Sequence, residues 1–217
     1  MFDRLMYFVW TFAEAGLAVF GINSIYEQPP YTVRADLGDG LEIRDYRAAA
    51  AVETTVTEPN RDLASNRAFN LLFAYIAGAN TGGQTIAMTT PVQQEPILIP
   101  MTAPVRADMA EDAGAIRVTM RFFLPAKRAA NPPVPQDPRV RLTTVPGATV
   151  AALRFSGNAT EPARVRKEAE LLARLGRTAW QPAGTPYLLG YDPPFTILFL
   201  KRSEVVVAVS PRSGQPN

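Results

Sequence analysis

The chain contains no histidine and no cysteine, and this decides most of what its side chains can do. Without imidazole or thiol there is no Ser-His-Asp hydrolase, no cysteine nucleophile, no His-ligated or thiolate metal centre and no disulfide. Any iron contact must use something weaker or rarer. The candidates are the thioethers of Met88 and Met101, which sit in two near-copies of one phrase, Met88-Thr89-Thr90-Pro91-Val92 and Met101-Thr102-Ala103-Pro104-Val105, and the phenolates of Tyr75 and Tyr191. Other groupings carry little chemistry. The glycine-rich Gly78 to Gly83, "GANTGG", lacks the Lys-Ser/Thr ending of a phosphate loop and reads as a flexible connection. Asp36, Asp39, Glu42 and Asp45 cluster without the spacing of a calcium loop. No catalytic dyad stands out, and the chain reads as a binding or structural protein, not an enzyme.

Its 217 residues, 47% of them hydrophobic, suffice for a real core. The 20 prolines fall in loops and strand-edge phrases, and a net charge of +2 offers no broad basic field, which argues against a nucleic-acid partner. Residues 1–24 form a separate hydrophobic segment. From Leu5 to Ile22 only Thr11 and Glu14 interrupt the apolar run. Arg4, Tyr7, Thr11, Glu14 and Ala18 recur at helical steps, so a narrow polar stripe runs along a greasy rod. Such a rod is a membrane anchor, a helix that docks on an integral-membrane complex through Leu5 to Phe20, a secretory signal cleaved near Ala13-Glu14-Ala15, or a helix lying across its own domain. Arg4 ahead of the run favours a domain on the outer, periplasmic side.

The elements that must position any site follow from periodicity. Tyr31 to Ala35 and Leu41 to Tyr46 alternate around Gly38-Asp39-Gly40 as a strand, a tight turn and a strand, and Ala50 to Thr57 continues the series. Helical spacing sets in over Arg61 to Ala77, with Asn60 as N-cap, Gly78 as stop, and Phe69, Leu72, Phe73 and Ile76 on one face. Pro91 and Pro104 belong at strand ends, edges or bulges, and Ile116 to Leu124 is a strand. The run Asn131 to Pro138, "NPPVPQDP", is a stiff extended connector. Beyond it the order repeats: Val140 to Val145, a Pro146-Gly147 turn, Val150 to Phe155, a helix over Glu161 to Leu175, then strands over Tyr187 to Tyr191 and Phe195 to Val209. In that second helix Thr160 is the expected cap, Gly176 the stop, and Val165, Leu172 and Leu175 the inward face. The implied fold is α+β and pseudo-twofold, a body over 25–210 built from strands-helix-strands halves at about 25–130 and 139–210, with a tail at 211–217.

The stretch "NRAFNLLFAYIAGANTGGQTIAMTTPV", with "YEQPPYTV", "LEIRDYRAAAAVETTV", "MRFFLPAK" and "YLLGYDPPFT" in the same order, resembles the SOUL haem-binding proteins, in a bacterial-type form, from about Tyr26 to about Val209. The resemblance implies a distorted antiparallel β-barrel with two flanking helices, and haem or a related tetrapyrrole held in a shallow apolar groove beside the first helix. A porphyrin needs apolar walls and cations at its carboxylate rim. On that footing Phe69, Leu72, Phe73 and Ile76 are the expected wall, Arg67 the partner of a propionate, Lys127, Lys201 and Arg202 more remote partners, and Met88 a contact or iron donor. The axial histidine credited to some relatives has no counterpart. Three readings follow, in this order: a membrane-associated carrier, buffer or sensor of tetrapyrrole; a non-catalytic accessory subunit docked on a respiratory or photosynthetic complex with haem binding lost; and, last, tetrapyrrole dechelation or degradation with a carboxylate or tyrosine as acid or base.

Overall fold

The computed structural model describes residues 27–98, 115–192 and 200–212. The N-terminal segment, the second Met-Thr-x-Pro-Val copy with Met101, the start of the expected strand at Phe195 and most of the C-terminal tail lie outside the described residues. No helix among the described residues is long and apolar enough to cross a membrane. Among these residues the chain forms two compact units, one of 27–48, 89–91 and everything from 146 on, the other of 49–88 and 92–145.

In the first unit β1 (Tyr31–Asp36) and β2 (Leu41–Tyr46) form a hairpin whose turn places Gly38, Asp39 and Gly40 all at positive φ. Only glycine and short polar residues tolerate that conformation. Asp36 Oδ1 accepts from the Gly38 amide at 2.9 Å, closing the turn. Next to β2 lies β7 (Ala148–Ser156), then β10 (Arg202–Pro211) and β9 (Tyr187–Gly190), every pair antiparallel. The short β8 (Trp180–Pro182) pairs with the far end of β10. Both faces of β10 are buried, so it carries the unbroken run Val205-Val206-Val207, not an alternation. One face packs Leu41, Ile43, Leu153, Val205 and Val207 against the helix of residues Glu161–Leu175.

The second unit orders β4 (Val92–Leu98), β5 (Ile116–Phe123), β3 (Ala49–Glu58) and β6 (Val140–Val145) side by side, again antiparallel. Helix α1 (Arg61–Ile76) crosses one face over Val52, Val56, Val118, Met120 and Phe122. A single helical turn, α2 (Ala126–Ala129), precedes the Pro-rich run, and the helix of the first unit is therefore α3 (Glu161–Leu175). Each unit is thus an antiparallel sheet carrying a helix, the α+β class expected. Pro91 stands immediately before β4, and the Asn60 side chain accepts from the Leu63 amide at 2.9 Å, as an N-cap should.

Several expectations need correction. Thr160 makes no side-chain cap bond. Helix α3 is rotated from its expected orientation: Val165 and Leu172 are 51% and 39% exposed, while Leu171 and Leu175 are buried with Arg164. A buried arginine at that position defeats an argument from apolar spacing. Its guanidinium is held by Glu161 at 2.6 Å and by Glu168, which leaves the aliphatic stem free to pack. The Gly-rich stretch is not a loose connection. Asn80, wholly buried, donates to the carbonyls of Tyr75 (2.8 Å) and Gln84 (2.7 Å) and accepts from the Gln84 amide (2.9 Å). The same loop clamps the proline run: the Thr81 amide donates to the Val134 carbonyl at 2.9 Å, the Gln136 amide to Ala79 at 3.1 Å, and the Tyr75 hydroxyl to Pro133 at 2.9 Å.

Candidate functional site

Helix α1 buries Ala64, Ala68, Leu72, Tyr75 and Ile76, so its two flanks face outward differently. On one flank Phe69 and Phe73 stack at 5.9 Å, and Phe69 meets Phe122 of β5 edge-on at 5.4 Å. Phe73 is 48% exposed and forms the outer end of this ridge. The other flank borders an open cavity of about 460 Å³, lined by Leu63, Asn66, Arg67, Asn70 and Leu71 of α1, Glu58 at the end of β3 and Arg139 just before β6. Arg67 and Phe69 are two residues apart and therefore point roughly 200° apart around the helix.

The expected site residues are therefore not one constellation. Leu72 and Ile76 are core, at 0% and 5% exposure, and present no surface to a ligand. Phe69 is partly buried against that core, as is Met88. Arg67 lies across the helix from the aromatic pair and belongs to the cavity. Neither tyrosine is a free donor. The Tyr75 hydroxyl donates to the Pro133 carbonyl, and burial raises its pKa; the Tyr191 hydroxyl donates to Glu204 at 2.8 Å, with burial and the Glu204 charge pushing its pKa up strongly. Lys201 and Arg202 are held by Asn158 and Glu204.

Two cations line the cavity, and each holds a carboxylate. Arg67 Nη1 meets Glu58 Oε1 at 2.5 Å. Arg139 grips Asp137 with a fork, Nε to Oδ1 at 2.9 Å and Nη2 to Oδ2 at 2.6 Å, and its own amide also donates to Oδ1. These hydrogen bonds, side chain first and backbone second, lower the Asp137 pKa to about 2. On the same lining Asn66 and Asn70 offer amides, and Leu63 and Leu71 offer apolar contact. Such a surface suits a partly apolar molecule with more than one carboxylate. Leu63, Asn66, Arg67 and Asn70 repeat at helical steps, a pattern visible in the sequence; Arg139 reaches them only through the pairing of β3 with β6, and no local signal announces it.

A second polar cluster lies in the first unit, on the sheet face away from α3. Glu204, fully buried, accepts from Arg44 (2.7 and 3.2 Å), Arg202 (2.7 and 3.1 Å) and Tyr191. The Arg44 guanidinium sits 4.5 Å from the Tyr31 ring centre and that of Arg202 4.0 Å from the Tyr191 ring. Burial alone would raise the Glu204 pKa, but the two arginines overcome it and hold it below the usual value. Every group here has a partner, and the cluster reads as a structural network.

The SOUL heme-binding protein model matches residues 26–208. The chain belongs to the SOUL family. Within reach of this SOUL protein are heme-binding protein 1 of Sus scrofa, 28% identical over 141 residues (64% of this chain, 68% of that protein), and heme-binding protein 1 of Xenopus laevis, 28% identical over 157 residues (72% and 77%). Among solved structures it is similar to the C-terminal domain of EcmrR, with TM-score 0.54 and 9% identity over 83% of this chain and 98% of that one. An uncharacterized conserved protein from Listeria innocua gives TM-score 0.54 and 12% identity over 79% and 93%. At such identities the SOUL chain shares a fold with these structures.

Proposed function

We propose that this SOUL-family protein binds haem or a related tetrapyrrole on the cavity flank of α1, as a carrier, buffer or sensor and not as an enzyme. The carrying observation is the meeting of Arg67 and Arg139 with Leu63 and Leu71 on one cavity. A tetrapyrrole with two propionates is an apolar plate with an anionic edge, and this lining offers a cation for each carboxylate and aliphatic contact for the plate. None of the lining residues has a side chain that commonly ligates haem iron, and the chain has no histidine at all. Recognition therefore runs through the edge and face of the ligand. Its test is an absorbance titration of the full chain with haemin. A saturable Soret shift near one equivalent, lost in Arg67→Ala/Arg139→Ala and kept in Phe73→Asp, is expected. Loss in Phe73→Asp with retention in the arginine variant would move the site to the aromatic ridge, and no saturable shift would leave the accessory-subunit reading.

The apolar residues Leu5 to Phe20 carry the further proposal that the protein is held at a membrane or on an integral-membrane complex, with its body on the periplasmic side. Flotation with lipid vesicles of the full chain and of a variant carrying Phe8→Asp and Phe12→Asp tests it; equal recovery of both in the soluble fraction refutes it.

A further inference from the structure

We propose that Glu58 and Asp137 are built-in competitors for the carboxylates of the ligand, so that the α1 cavity takes up its ligand by exchange of carboxylate partners and selects doubly ionised molecules. The inference rests on the tetrapyrrole reading of the cavity. Glu58 lines the cavity itself and already occupies one guanidinium edge of Arg67, at 2.5 Å. Its side chain is 18% exposed against 57% for Arg67, so the carboxylate is the anchored member and the arginine the one that swings outward. Asp137 holds the other cation through a two-pronged contact and also caps the Arg139 amide, which fixes Arg139 at the cavity edge.

Both arginines already hold a carboxylate, in pairs whose guanidinium side is more than half exposed, so the pairs are weak and exchangeable. A ligand carboxylate that takes the place of Glu58 or Asp137 recovers what that pair gave up. A neutral ester gains nothing by the exchange, and a plate without carboxylates meets two satisfied ion pairs. Glu58 also remains beside the incoming anion after exchange and repels it. Removing its charge while keeping its shape should therefore tighten binding of a dianion, the opposite of what loss of an ordinary lining residue does.

The experiment titrates the full chain, Glu58→Gln and Asp137→Asn with haemin and with haemin dimethyl ester, following the Soret band. For haemin, Glu58→Gln should bind about tenfold tighter, the size expected for removing one like charge at a few ångströms in a partly exposed site. Asp137→Asn, which keeps an acceptor for the Arg139 amide, should bind haemin more tightly by a smaller factor, and the ester should bind all three proteins alike. Unchanged or weaker haemin binding by Glu58→Gln, or an equal gain for the ester, overturns the exchange proposal while leaving the tetrapyrrole reading in place. Absence of saturable haemin binding in all three proteins overturns both. Matched thermal melts show whether each variant is folded, and the Asp137 variant, on an exposed turn, keeps the test open if Glu58→Gln is unstable.

Discussion

Replacing Glu204 by glutamine should be among the most damaging single-atom changes available in this protein. The carboxylate receives five donors: two from Arg44, two from Arg202 and the Tyr191 hydroxyl, all in a site with no solvent exposure at Glu204. Glutamine keeps one acceptor oxygen and turns the other position into an N–H₂ that faces guanidinium N–H groups. Two or more charge-assisted bonds, each worth about 1.5–3 kcal/mol, are lost or reversed. Arg44 keeps Glu42, 2.7 Å from its Nε, while the Arg202 guanidinium loses the carboxylate that held it. Breaking a buried pair by removing one partner costs about 3–5 kcal/mol, a large share of the roughly 5–15 kcal/mol that holds a typical domain. For a chain of this size that is a fall in Tm of about 6–20 °C. Trp180 packs against the core of the same unit, so its fluorescence in a Trp10→Phe background, followed through urea unfolding, reports on the affected unit.

The pH dependence adds a second signature. Glu204 has a lowered pKa in the fold, so its contribution is fully present above the unfolded glutamate value of about 4.3 and disappears as pH falls through the lower folded value. The Gln variant should lose that acid-side slope. A cost under about 1 kcal/mol with the acid slope intact would refute the reasoning, because surface pairs give that little. A fourfold change, Glu204→Leu with Arg44→Met, Arg202→Met and Tyr191→Phe, should recover much of the loss, since apolar replacement of a whole buried ion cluster, its hydroxyl donor included, is often neutral.

Two further outcomes can be read without a ligand. Leu171→Ala should cost about 2–4 kcal/mol by urea unfolding, because it empties a fully buried position, whereas Leu172→Ala on the exposed flank of α3 should cost less than about 1 kcal/mol; the reverse order would restore the rotation expected from spacing. Asn80→Ala should cost about 1–3 kcal/mol, since the Gln84 amide and the Tyr75 and Gln84 carbonyls lose their partner. Hydrogen exchange should then speed up at Thr81 and Gln136 together, as the clamp on the proline run opens.

Much of the local structure was legible because it depends on local energetics. The limits of α1 and α3 follow from Asn60, the helical spacing and Gly176, and the β1–β2 turn from the only residue types that tolerate three consecutive positive φ values. Faces of helices were less legible. Spacing grouped Phe69 and Phe73 with Leu72 and Ile76, but a helix packs along the line its sheet offers, and here Ala64 and Ala68 allow the close approach that puts Tyr75 inside and Phe73 out. Of the candidate site, the α1 residues could be read from periodicity and Arg67 could be singled out by charge. Glu58, Arg139 and the Asp137 clamp could not, because they enter through the ends of strands.

The sequence by itself determined the chemistry that is possible. A chain without histidine or cysteine cannot build a His- or Cys-ligated metal centre, a thiol nucleophile or a Ser-His-Asp triad wherever its residues end up, since side-chain identity is independent of fold. It also determined the α+β class, because hydrophobic period is imposed by the geometry of helix and strand. Tertiary structure decided which charges are buried and which are available. Arg44, Arg164 and Arg202 look alike in the sequence to Arg67 and Arg139, yet the first three are held in buried or half-buried networks and the last two stand at a cavity. Arg164 and Arg202 find their carboxylates nearby in the chain, but strand pairing over long range brings Arg44 to Glu204 and Arg139 to the flank of α1, and contacts between residues so distant leave no mark on the sequence around either one.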